Sequence, residues 1–157
     1  MQSMSDLTEN IAINRRKVNS FQERETKKKL LILDDKIAIA KIITVYLSGE
    51  YDIVYFDTPV KGLDWLYKGN MPDLILLDIK MPEMNGDEFL TYIKRNGLFT
   101  HIPVIVLSGE ESSAIRIKML EEGADDFILK PFNPMELKIR IRKVLKWILL
   151  LFISEVM

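Results

Sequence analysis

The 157-residue chain contains no cysteine, which excludes disulfides, thiolate metal sites and cysteine nucleophiles, and weakly favours a reducing compartment. It has a single histidine, His101, just before Ile102-Pro103 with no neighbour arranged to orient it; we read it as a surface or packing residue rather than a general base. Neither glycine-rich phosphate loop occurs, so the nucleotide sites built on GxxxxGK[ST] or GxGxxG are excluded. No sign of charge dominates: 22 Lys and Arg face 23 Asp and Glu, and nothing in the bulk charge draws the chain to nucleic acid. The polar stretch from Met1 to Asn10 has no apolar centre and is not a signal peptide. The run Trp147 to Ile153 is continuously apolar but far shorter than the ~20 residues that span a bilayer. A cytoplasmic protein without a membrane span is the expectation.

What the chain does have begins near residue 28. Before it, residues 1–27 are polar and lack sustained periodicity, and we expect a mobile extension or a loosely attached helix; the clusters Arg15-Arg16-Lys17 and Lys27-Lys28-Lys29 read as solvated charge. Beyond it, strand-like runs at 30–34, 51–56, 73–78, 103–108 and 126–129 alternate with helix-like stretches near 36–48, 59–68, 87–96, 112–122 and 134–150. The runs Leu30-Leu31-Ile32-Leu33 and Leu74-Ile75-Leu76-Leu77 have the unbroken apolar character of strands buried on both faces of a parallel sheet. Gly49, Gly69, Gly97 and Gly123 each follow a proposed helix and are expected as left-handed C-terminal caps. Asn133-Pro134-Met135-Glu136 supplies a capping side chain, a proline at the first helical position and an acid placed to close a capping box. An open, right-handed, doubly wound α/β sheet is the economical arrangement of these units.

Such a sheet places its chemistry at the carboxyl ends of its strands. Asp34-Asp35, Asp78, Ser108 and Lys130 all fall there, so one crevice collects three carboxylates, a hydroxyl and an ammonium. Ionised carboxylates at close range repel unless something positive lies between them, and a divalent cation is the natural candidate; all-oxygen ligands favour Mg²⁺. An Asp is a competent nucleophile toward phosphorus when a metal and a second cation neutralise the charge that builds on the transferring group.

These residues resemble a known family. Asp34-Asp35 after the first strand, Asp78 followed by Met81-Pro82-Glu83-Met84-Asn85-Gly86, Ser108 after the fourth strand and Lys130-Pro131-Phe132 after the fifth are similar to the receiver domain of two-component response regulators, over residues 28–146. The resemblance implies a five-stranded, flavodoxin-like sheet of order 2-1-3-4-5. It implies Asp78 as phospho-acceptor, with Asp35, Asp78 and the Lys80 backbone carbonyl as direct Mg²⁺ ligands and Asp34 acting through a metal-bound water. It implies Ser108 and Lys130 as partners of the phosphoryl group, a cis peptide between Lys130 and Pro131, and Phe127 as the aromatic that moves with Ser108. A histidine kinase or histidine phosphotransfer protein would donate the phosphoryl group, and a downstream protein partner would read the switched surface, with no nucleic acid contacted.

Alone, each residue has a plainer reading. Asp34 or Asp35 could be an acid at a helix N-terminus, Ser108 a cap, Lys130 solvated surface, and Phe127 a core side chain that never moves. Lys80 and Glu110 lie two residues beyond Asp78 and Ser108 and flank the path of a hydrolytic water; we expect them to tune dephosphorylation, against the plainer reading of two solvated charges. The apolar tail 147–157 continues or follows the last helix, and two readings stay open for it: a homodimer contact through that helix and the tail, or a tail folded back on the domain. No output domain is expected after it, which leaves a stand-alone receiver, a receiver truncated from a DNA-binding regulator, or a constitutive docking module. The competing class is an Asp-based Mg²⁺ phosphohydrolase of the haloacid-dehalogenase kind; that class carries a second acid two residues beyond its nucleophile, where this chain has Lys80.

Overall fold

Alternate residues of each apolar run face opposite sides of one sheet, and each side has its own core. The computed structural model describes residues 4–5, 8–10, 13 and 26–157. The expectation of a mobile arm over 1–27 falls largely outside them, as does Arg15-Arg16-Lys17. Strands β1 (Lys28–Leu33), β2 (Tyr51–Phe56), β3 (Leu74–Asp78), β4 (Val104–Ser108) and β5 (Asp126–Leu129) alternate with helices α1 (Ile37–Leu47), α2 (Pro59–Tyr67), α3 (Gly86–Arg95), α4 (Ser113–Glu121) and α5 (Pro134–Val156). The strands form one sheet in the order β2-β1-β3-β4-β5, and every pairing is parallel. The doubly wound, flavodoxin-like architecture is thus as the sequence implied.

Leu31, Leu33, Ile75, Leu77, Val104, Val106 and Phe127 project to one face, where α2, α3 and α4 cover them with Leu66, Phe89, Leu90, Ile93 and Met119. Leu30, Ile32, Leu74, Leu76, Ile105, Leu107 and Ile128 project to the other, beneath Ala40, Ile43 and Leu47 of α1 and Leu137, Ile141 and Leu145 of α5. Two buried faces explain why the central strands carry no polar alternation until their last residue.

Several local expectations need correction. Only Gly69 (φ +92°) and Gly123 (φ +108°) adopt the left-handed conformation; Gly49 and Gly97 do not. At Gly49 the chain passes from α1 through a short turn into β2, and after α3 Asn96 caps the helix by accepting the Leu98 N–H at 2.9 Å and donating through its own backbone N–H to Tyr92 and Ile93. Asn133 does cap α5, accepting the Met135 N–H at 2.8 Å, but Glu136 turns to Arg140 instead of closing a capping box. Strand β1 starts at Lys28 rather than Leu30, since Lys28 and Lys29 pair with Tyr51 and Asp52. Helix α5 does not stop near residue 150 but runs through the apolar tail to Val156.

Candidate functional site: an acidic cluster at the carboxyl edge of the sheet

The sheet order makes β1, β3 and β4 neighbours, so their last residues meet. Asp34 follows β1, Asp78 closes β3, Ser108 closes β4, and Lys130 follows β5. Asp34, Asp78 and Ser108 are only 1%, 6% and 1% exposed, burial that polar groups tolerate only when partnered. Lys130 is the common partner: its Nζ lies 2.6 Å from Asp34 Oδ2 and 3.1 Å from Asp78 Oδ1. Burial pushes the Asp78 carboxyl above its ordinary range; Lys130 opposes that shift, and Asp34 and Asp35 add to it. The peptide Lys130-Pro131 is cis.

Asp34 is held at every polar atom. Its N–H donates to Phe56 O at 3.3 Å, its carbonyl accepts the Tyr55 hydroxyl at 2.9 Å, Oδ1 accepts the Lys36 N–H at 2.8 Å, and Oδ2 accepts from Lys130. Asp35 beside it is exposed. One carboxylate oxygen from each of Asp34, Asp35 and Asp78 lies within 4.8 Å of the others, an all-oxygen donor set suited to a hard divalent cation such as Mg²⁺.

Beside the acids is a cavity of about 300 Å³ lined by Lys36, Asp78, Lys80, Ser108, Glu110 and Lys130 among others. The Ser108 hydroxyl opens onto it and accepts the Glu110 N–H at 3.0 Å. Lys80 and Glu110 form an ion pair across it, with 76% of the Lys80 side chain and 29% of that of Glu110 in solvent. Phe127 is packed inward, 7% exposed, against the core face that also holds Val106 and Met119. His101 is exposed in the turn before β4 and takes no part in the site.

Two residues support the site through contacts that the sequence alone does not reveal. Gly86 sits where α3 begins, and its N–H donates to Ile79 O at 2.7 Å; a Cβ there would collide with the Asp78 carbonyl and lie 2.7 Å from Ile79 Cα. Only glycine lets α3 seat against the backbone at the end of β3. The MPEMNG stretch shows where to look, and the reason is visible only in three dimensions. Tyr55, one aromatic among several in β2, betrays nothing in sequence of its bond to Asp34. Burial and the negative charges of Asp57, Asp34 and Asp35 raise its pKa, so it stays a donor.

A sequence model of the response regulator receiver domain matches residues 30–142. The chain belongs to this family. It is 41% identical over 123 residues to the probable transcriptional regulator ycf27 of Guillardia theta, an alignment of 78% of this chain and 47% of that protein. It is 32% identical over 133 residues to the phosphate regulon transcriptional regulatory protein PhoB of Escherichia coli K12, covering 82% of this chain and 56% of PhoB. Among solved structures, a CheY-like response regulator receiver domain protein from Methanospirillum hungatei superposes with a TM-score of 0.72 at 31% identity, covering 78% of this chain and 97% of that one. The chain spans about half the length of these curated relatives. As a receiver domain it is a signalling module rather than a turnover enzyme, and among the described residues no helix is long and apolar enough to cross a membrane.

Proposed function

We propose that this chain is a phosphorylation-dependent receiver of a cytoplasmic two-component phosphorelay, with Asp78 as acceptor. The observation that carries the reading is that Asp78 belongs at once to the three-acid cluster with Asp34 and Asp35 and, with Lys130 and Ser108, to the lining of the adjoining cavity. A carboxylate oxygen of Asp78 attacks the phosphorus of a phosphohistidine on a histidine kinase or phosphotransfer protein. The O–P bond forms as the N–P bond breaks, and the leaving imidazole nitrogen recovers a proton from solvent. Asp34, Asp35 and Asp78, with the Lys80 carbonyl, would hold Mg²⁺, which supplies a template and positive charge for the phosphoryl oxygens when bound. Lys130 exchanges part of its contact with the acids for the new phosphoryl oxygens, and the Ser108 hydroxyl turns to donate to one of them.

That movement biases a pre-existing equilibrium in which Phe127 follows Ser108 and the surface of α4, β4, β5 and α5 changes what it binds. A downstream protein is the expected reader. A second copy of this chain is the expected occupant of the α5 tail, where Trp147, Leu149, Leu150, Leu151, Phe152 and Ile153 stand 48–68% exposed. The Lys80–Glu110 pair lies over the cavity and would slow the approach of a hydrolytic water to the phosphoryl group.

The direct test is incubation with Mg²⁺ and a small acyl phosphate or phosphoramidate, followed by intact-mass measurement. One phosphoryl group should be added, slowly and stoichiometrically, and none in Asp78→Asn. Persistent labelling of the variant would refute the acceptor assignment, and many turnovers per minute on phosphomonoesters would favour a phosphohydrolase.

A further inference from the structure

The peptide unit that joins Asp34 to Asp35 is fastened from outside its own strand. Its carbonyl, that of Asp34, is part-buried and accepts the Tyr55 hydroxyl at 2.9 Å. Tyr55 stands on β2, opposite Ile32 in register, with its ring packed against the core face shared by Ile39 and Ile53. The ring is thereby fixed, and its hydroxyl reaches past the end of β1 to the acidic loop. The N–H of Asp34 is tied to the same strand through Phe56 O. Edge strand β2 thus grips the first acid from both sides, while the second, Asp35, is exposed and has no comparable anchor.

We infer that Tyr55 is a positioning residue for the cation-binding acids: its hydroxyl fixes the plane of the Asp34–Asp35 peptide and so the direction from which Asp35 offers its carboxylate. The inference rests on the proposed Mg²⁺ site but concerns a residue that touches neither metal nor phosphoryl group. Two dihedrals flank that peptide, and releasing the carbonyl frees the plane to rotate, so Asp35 must be reordered each time a cation binds. The effect falls on cation affinity. Asp78, Lys130 and Ser108 keep their own supports, so transfer in the loaded site is spared.

Calorimetric titration of MgCl₂ into wild type and Tyr55→Phe, with Tyr46→Phe on the exposed side of α1 as a control, tests this. Tyr55→Phe should bind Mg²⁺ about fivefold more weakly while Tyr46→Phe matches wild type. The rate of phosphorylation by a small acyl phosphate should need correspondingly more Mg²⁺ to reach half-maximum yet arrive at the same plateau. A Tyr55→Phe chain that unfolds more easily without metal but binds Mg²⁺ as tightly as wild type would overturn the inference, because the hydroxyl would then be merely structural. A lowered plateau at unchanged affinity would overturn it too. If wild type itself takes up no Mg²⁺, the inference fails together with the metal reading, whereas failure in Tyr55→Phe alone leaves that reading intact.

Discussion

The acidic edge of the sheet and the far end of α5 break the same rule in opposite directions. At the edge, charged Asp34 and Asp78 are buried; at the end of α5, Trp147, Leu151 and Phe152 are 68%, 62% and 58% exposed. The first departure is compensated within the domain, because Lys130 bridges both carboxylates and the Lys36 N–H donates to the other Asp34 oxygen. The second is not. Beyond Leu145 the helix leaves the core that supported it, and its side chains are apolar on every side for about two turns. A compensated departure is ready for chemistry because its groups are already oriented. An uncompensated one acts only when something else covers it.

The comparison breaks most sharply if the compensation is removed. Lys130→Ala leaves two buried carboxylates facing each other without a cation, and unfolding by urea in chelator should show a loss of about 3 kcal/mol. Mg²⁺ at saturating concentration should restore part of that stability. No loss in chelator would mean that water already solvates the acids.

The apolar end sharpens the comparison from the other side. If a second copy covers it, Leu150→Glu with Ile153→Glu should weaken self-association at least ~100-fold, about 2.7 kcal/mol, in sedimentation equilibrium while the domain's unfolding midpoint stays put. A wild-type chain that is monomeric at every concentration refutes the second-copy assignment.

The smallest effect belongs to the one exposed ion pair at the site. Replacing Lys80 and Glu110 together by Ala should speed loss of the phosphoryl group about tenfold, near 1.4 kcal/mol of barrier, with Mg²⁺ affinity little changed. An unchanged lifetime would mean that the pair opens too readily to obstruct water, as exposed pairs often do.

The order of strands and helices was legible in the chain because burial on both faces leaves an unmistakable apolar run, and the placement of Asp34, Asp35, Asp78, Ser108 and Lys130 followed from where those runs end. The cap at Asn133 was legible for the same reason: it is local chemistry within one turn. Glycine after a helix was less informative, since Gly49 and Gly97 stand in turns that close without positive φ. What the sequence could not determine are relations between residues far apart in the chain. Lys130 reaches Asp34 across 96 positions and Tyr55 reaches it across 21, and no local pattern encodes either bond. Glycine at position 86 is demanded by the backbone of Asp78 against which α3 is seated, an approach that exists only once β3 and α3 have packed. Residue type and periodicity decide which groups arrive at the sheet edge; packing alone decides which atoms touch there, because hydrogen bonds and ion pairs are made or lost over differences of a few tenths of an ångström that no spacing along the chain specifies.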